Sequence, residues 1–541
     1  LLVYLFVCIM ARNYLFNQVP ISKIKKNKFN LSFLNNLSCD FGQLIPILTQ
    51  EVLPGDDFRI SAETFVRLAP MVAPAYTSID CYIHYFFVPN RIVFEDWQEF
   101  IAEDMEDNIV HPYIQLSELT YNDCKAGTLY DYLGVNVSRP VDPDIDLRVN
   151  ALPFRAYQLI YNEYYRDENL QPINPELPLG QGLDNYQYKI RYRNWPKDYF
   201  TSCLPSPQYG GDTVLPIVGD MPIEDDGQIR FKKLSGAQIT KNKYVKTSLD
   251  AGHNAGLTTD DNTEPFLYHS GLKVNLQGAS ATTINDLRRA IKIQEWKERS
   301  MRSGHRYIEY LFGQFEEISS DARLQRPQYI GGSKTPVLIS EIQQTSATQQ
   351  DTSPQGNLAG KGTAIGSMRN IYFKSEEHGF ILGIMSIMPR SSYMTGIHRK
   401  FTRFDKFDYA LPVFANLGEQ EVLNQELYLS NSNNVGLDDQ GNLPENLEVF
   451  GYQPRYAEYK TALDEVHGDF KHYCQYWHSG RQFLNTPTLN SEFINFGEYQ
   501  NRLSQNRLFA VQGLGSHKFY CSIYNNVSVL RKLPKFGIPM I

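Results

Sequence analysis

The chain has 541 residues, 42% apolar and 13% aromatic, with 21% charged and a formal net charge of −8. That length exceeds the roughly 250–300 residues one hydrophobic core usually serves, which requires several domains or one large sandwich with insertions. The negative balance excludes a general polyanion binder and restricts any nucleic-acid contact to a local patch.

Leu1 to Met10 is apolar but too short to span a bilayer, and it lacks the basic start and cleavage site of a signal peptide, so no membrane insertion is expected and translation is expected to begin at Met10. Met10 to Ser38 is polar and weakly periodic and reads as an extended arm within residues 1–40. From Leu1 to Cys39 it carries Arg12, Lys23, Lys25, Lys26 and Lys28 and no acidic residue, the pattern of a candidate nucleic-acid contact. A solvated or subunit-binding arm fits the same residues.

Asp57 to Leu68 puts Phe58, Ile60, Ala62, Val66 and Leu68 on one parity and Asp57, Arg59, Ser61, Glu63 and Arg67 on the other, a half-buried strand broken only by Phe65. Thr77 to Val88 repeats the pattern, and at ~3.3 Å per residue each strand is about 40 Å long. Pro54-Gly55-Asp56 is the turn between Leu44–Leu53 and the first of them. Phe94 to Glu103 then reads as a short amphipathic helix, and Leu152 to Arg166 as a second, with Phe154, Tyr157, Tyr161 and Tyr164 at three- and four-residue steps. That aromatic row fits a core stripe better than a base-stacking platform.

Asp198 to Gln208 is a Pro-containing loop, and Gly219 to Ser280 is polar, turn-rich and without strong periodicity, a large surface excursion. Thr283 to Met301 returns to a helix with Ile284, Leu287, Ile291 and Gln294 on one side and a stop at Ser303-Gly304. Gln343 to Gly366, rich in Gln, Thr, Ser and Gly, reads as a linker-like loop. Phe380 to Met388 is almost continuously apolar, as a strand covered on both faces would be, and His517 to Leu530 alternates again. Pairing of that last strand with an early one would close the sheets of a sandwich.

The runs FGQLIPILTQEVLPGDDFRISAETFVRLAP and YFFVPNRIVFEDWQEF resemble the amino-terminal part of the major capsid protein of Microviridae, the gokushovirus-like single-stranded-DNA phages. Further similar runs follow in order: LPFRAYQLIYNEYYRDENLQ from Leu152, DYFTSCLPSPQ from Asp198, DARLQRPQYIGG from Asp321, EHGFILGIMSIMPR from Glu377, FANLGEQEVLNQELY from Phe414 and FGYQPRYAEYK from Phe450. The resemblance implies a mainly β protein, an eight-stranded antiparallel jelly-roll sandwich over 41–541. Its insertions fall at 106–200 (helical), 219–280 (a surface protrusion) and 283–366 (a helix plus a long loop).

It further implies a structural protein of the virion, self-assembling into an icosahedral shell around circular single-stranded DNA in the bacterial cytoplasm. Its partners would be a small basic DNA-binding virion protein and a host-cell receptor. The excursion would rise at the three-fold axes, with Phe266, Leu267 and Tyr268 shared between neighbours and Asp260, Asp261 and Asn262 at an exposed tip; a flexible loop lying flat on the shell fits the same composition.

The residues themselves supply little chemistry. Seven cysteines, an odd number with no C-x-x-C pair, argue against a disulfide framework and for reduced thiols. Gly356 to Gly362 imitates a phosphate loop, but it has three residues between its first two glycines and no Ser or Thr after Lys361. Glu377-His378 pairs a base with an orienter inside a capsid-like run, where a structural role is favoured. His467, His472, Cys474 and His478 are weak metal candidates whose spacing matches no zinc module. Asp438 to Asn442 has calcium-type oxygens without EF-hand spacing. No catalytic residue, cofactor or metal is expected. The competing class is a secreted carbohydrate-binding or glycoside-cleaving β-sandwich, which would need an exposed carboxylate pair or an aromatic platform.

Overall fold

The computed structural model describes residues 25–536 apart from 103–108, 117–123, 136–146, 174–175, 212, 214–222, 225–229, 233–245, 250–254, 259–265, 269–272, 275–283, 305, 346–355, 432–443 and 514. Two compact units are present, 208–300 and the remainder. The larger unit is built on one curled antiparallel sheet. Its strands are β1 (Asn27–Asn30), β2 (Phe33–Cys39), β3 (Ile45–Val52), β4 (Asp57–Leu68), β5 (Ile79–Pro89), β6 (Gln328–Gln343), β7 (Leu358–Ser367), β8 (Ile371–Lys374), β9 (Gly379–Pro389) and β10 (Phe519–Arg531). One hydrogen-bonded path runs β1-β10-β4-β7-β6-β5-β9-β3, with β8 added at β4 and β2 at β10. The mainly β, antiparallel class expected from the sequence is therefore present, with ten strands in this sheet.

Alternation places β4. Phe58, Ile60, Ala62, Val66 and Leu68 are buried and their neighbours face outward. Phe65 keeps the outward parity, where the Arg67 guanidinium lies 5.2 Å from its ring, while Thr64 takes the inward position. The carboxyl-terminal β10 pairs with β4 from Phe519↔Leu68 to Leu530↔Asp57, the closure anticipated for the last strand. The long β6 carries the curl, pairing with β5 through Val337 and with β7 from Leu338 onward. The far edges approach each other, since the side-chain amides of Asn35 and Asn525 both donate to the Ile47 carbonyl at 3.1 Å.

Strands β5 and β9 are covered on both faces, and alternate residues serve different cores. Tyr85, Phe87, Ile381, Met385 and Ile387 line the cluster inside the curl. Phe86, Val88, Phe380, Leu382 and Ile384 join Phe154, Tyr157 and Ile160 of the helix Leu152–Ile160 in a second one. The aromatic row of that helix, extended by a π turn over Tyr161–Tyr165, is thus core.

Two expectations are corrected. The linker reading of Gln343 to Gly366 fails from Leu358, because β7 is a central strand whose glycines are required by close packing. A Cβ on Gly360 would lie 2.4 Å from the Ala73 carbonyl oxygen, and one on Gly366 2.3 Å from the Thr335 hydroxyl. The arm reading of Met10 to Ser38 fails from Asn27, because β1 and β2 pair along β10. Glycines hid the one and polar exposed residues the other.

Candidate assembly surface

The basic residues are divided by the structure. Lys28 lies on β1 opposite Leu530 and is exposed, as is Lys25. Lys26 is held by the Asp57 carboxylate, so it is not free of acid as its local sequence suggests. Arg12 and Lys23 lie outside the described residues.

The four metal candidates do not share a strand. The run from His467 to His478 forms two 3-10 turns, Gly468–Lys471 and Gln475–Trp477. His478 accepts from the Gly480 N–H at Nδ1 and donates from Nε2 to the Phe470 carbonyl, which occupies both nitrogens and fixes a neutral tautomer. Burial also lowers its pKa. His467 contacts Glu465 at 2.8 Å, and His472 is exposed. Among the described residues no group of three or more His, Cys, Asp or Glu is placed to hold a metal ion.

The smaller unit contains three nested antiparallel pairs: Ile223–Glu224 with Lys273–Val274, Arg230–Lys232 with Phe266–Tyr268, and Lys246–Leu249 with Ala255–Thr258. Phe266, Leu267 and Tyr268 therefore lie in the middle pair. Lys246–Leu249 and Ala255–Thr258 form the innermost of these pairs. Asp260, Asp261 and Asn262 lie outside the described residues. Asp438 to Asn442 also lies outside them.

A cleft of about 750 Å³ in the larger unit brings together residues that sequence spacing could not pair. Glu309, on the helix Tyr307–Phe315, meets Glu168 from the segment after Tyr165, and both carboxylates converge on Gly304. A Cβ on Gly304 would lie 2.3 Å from Glu309 Oε2 and 2.5 Å from Glu168 Oε1. Burial, then the hydrogen bond and charge of Glu168, push Glu309 up to about 7 against the opposing Arg306 guanidinium. Such a pair holds a proton near neutrality. Glu377 and His378 do not form a base-orienter pair, because Glu377 accepts from the Arg91 guanidinium and the His378 ring lies edge-on to Trp97.

The outward face of the curled sheet exposes Leu338, Ile365 and Tyr372 on β6, β7 and β8 among charged residues such as Arg59, Glu63 and Lys361. Sequence parity assigns such residues to one side of a strand but not to solvent. No helix among the described residues is long and apolar enough to cross a membrane.

The capsid protein (F protein) family profile matches residues 17–541. The chain belongs to that family. It is 32% identical to the capsid protein VP1 of Chlamydia phage 1 over 97% of both chains. It is 34% identical to the capsid protein VP1 of Bdellovibrio phage phiMH2K over 88% of this chain and 89% of that one. Against the capsid protein VP1 of Spiroplasma virus 4 the identity is 29% over 91% of each. The resemblance to Microviridae capsid proteins is borne out across the chain. A structural role in a capsid follows, and a shell subunit must leave part of its surface apolar for its neighbours.

Proposed function

We propose that copies of this chain close into an icosahedral shell around a circular single-stranded DNA genome, acting structurally and without catalysis. The observation that carries this reading is the family match over 17–541 to proteins named as capsid proteins. The exposed apolar residues of the sheet support it, since each stable contact needs about 800 Å² per partner and apolar burial supplies the driving force. Symmetry then closes the assembly. This reading displaces the glycan-directed sandwich. The purified chain should yield uniform closed particles by electron microscopy; a chain that stays monomeric at high concentration overturns the proposal.

In the same proposal the basic segment faces packaged DNA, with Lys25 and Lys28 as exposed contacts, and a small basic virion protein neutralises the rest of the genome. Assembly takes place in the bacterial cytoplasm. Replacing Lys23, Lys25, Lys26 and Lys28 with glutamine is expected to lower DNA content per particle or make packaging more salt-sensitive. Lys26→Gln alone controls for loss of the Asp57 pair. Unchanged DNA content at every salt concentration would remove the direct contact.

The nested ribbon of the smaller unit is proposed as the host-attachment protrusion, with Phe266, Leu267 and Tyr268 on the limb that neighbours share. Deleting Asp225 to Thr263 removes two of the three paired limbs on the outgoing side. Particles of that variant are expected to assemble and to adsorb poorly to the host. Normal adsorption, or failure to assemble, counts against attachment through this segment.

A further inference from the structure

The segment from Phe401 to Leu417 exposes large apolar side chains in close succession. Phe404 is 91% exposed, Val413 87%, Phe401 67% and Leu417 62%, with Phe407 and Tyr409 each more than half exposed. At about 200 Å² for a fully exposed aromatic residue and somewhat less for Val and Leu, these six present roughly 700 Å². The largest apolar patch on a typical monomer is about 300–600 Å², and one side of a standard interface is about 800 Å². The summed exposed area of the six residues approaches one half of a stable contact.

The backbone of the segment is tied to the subunit. Three short 3-10 turns, Arg399–Phe401, Lys406–Asp408 and Pro412–Phe414, shape the segment. Asp408 accepts the N–H groups of Phe404 and Asp405, both at 2.8 Å. Arg403 turns inward, donating to Glu458 at 3.0 Å with its guanidinium 4.3 Å from the Tyr459 ring. The backbone N–H groups of Ala410 and Leu411 donate to the hydroxyls of Tyr459 and Tyr456. A backbone tied down before contact loses little entropy on binding.

Charge selects the occupant. Arg399 and Arg403 are committed to Glu426 and Glu458. Lys400 and Lys406 remain, balanced by Asp405 and Asp408, so the rim carries no net charge for nucleic acid or an anionic membrane. An aromatic centre with a mixed-sign rim has the anatomy of a protein interface.

We infer that the 401–417 segment is a contact with a second copy of this chain, an inference that rests on the shell reading and names one of its interfaces. The double variant Phe404→Glu with Val413→Glu alters side chains that touch little within the subunit. Its circular dichroism and melting temperature should match the wild type, while particle formation in analytical ultracentrifugation should require at least tenfold more protein. Particles formed at wild-type concentrations would overturn the contact and leave the shell reading standing; a wild-type chain that never assembles would overturn both. Should the double variant misfold, placing benzoylphenylalanine at position 404 settles the matter in wild-type-like particles. Ultraviolet light should then link two copies of this chain, and the absence of such a product would overturn the inference.

Discussion

Asp184→Ala is expected to destabilise the subunit by about 3–5 kcal/mol, a large fraction of the 5–15 kcal/mol that holds a domain folded. Asp184 and Arg155 form an ion pair at 2.8 Å with side chains 0% and 1% exposed. The carboxylate also accepts from the Tyr188 hydroxyl and the Tyr186 N–H, while the guanidinium donates to the Val93 carbonyl. Removing the carboxylate strands a charged guanidinium among Phe94, Phe154 and their neighbours, where water cannot reach it. Urea unfolding followed by tryptophan fluorescence should show a midpoint well below wild type for Asp184→Ala. Replacing both partners, Arg155→Met with Asp184→Leu, should recover most of the loss, because the penalty comes from the unpaired charge rather than from the missing attraction. A double variant as unstable as the single would show that the bonds to Tyr186 and Tyr188 matter more than the charge.

The parts of this fold that were legible in the sequence are those where one face is dry and the other wet. Asp57–Leu68 is readable because its inward residues are apolar and its outward ones charged, and even Phe65 is accounted for once Ile365 of β7 is found opposite it on the outer face. Phe380 to Met388 announced burial on both faces, which two separate cores confirm. Strand β7 gave no such signal. Its glycines are there because Ala73, Leu68 and Thr335 leave no room for a Cβ, a constraint set by residues distant in the chain. Strands β1 and β2 were hidden by asparagine and lysine on their exposed faces, which read as arm.

Candidate functional residues divide in the same way. The aromatic row at 154–164 was correctly placed in the core by its helical spacing. The 401–417 segment carries no period that distinguishes an exposed aromatic from a buried one, so only the folded surface shows it. The pairing of Lys246–Leu249 with Ala255–Thr258 depends on register, which composition does not encode. The Glu168 and Glu309 pair was beyond any local reading, since neither residue sits near the other in sequence and the cleft that joins them is tertiary.

That pair makes the subunit's stability depend on pH. Glu309 holds its proton to about 7, against about 4.5 in the unfolded chain, with burial the largest cause and Glu168 the next. Between those values the folded chain binds more protons than the unfolded one, so stability falls as pH rises. The contribution is fully present below about pH 4.5 and is lost by about pH 7. Arg306, 3.2 Å from Glu309 Oε1, softens the loss by favouring the ionised carboxylate. With the Glu309 side chain 31% exposed, solvent screening leaves roughly 1–2 kcal/mol across the window. Glu309→Gln keeps a neutral, hydrogen-bonding side chain opposite Glu168 at every pH. Its melting temperature should therefore vary less between pH 5 and 7.5 than that of the wild type, and at pH 8 it should exceed the wild type by a few degrees. Parallel curves for the two proteins over that range would mean that the carboxyls do not share a proton, and Glu309→Gln falling below wild type at pH 8 would mean that the ionised Glu309 is needed by Arg306.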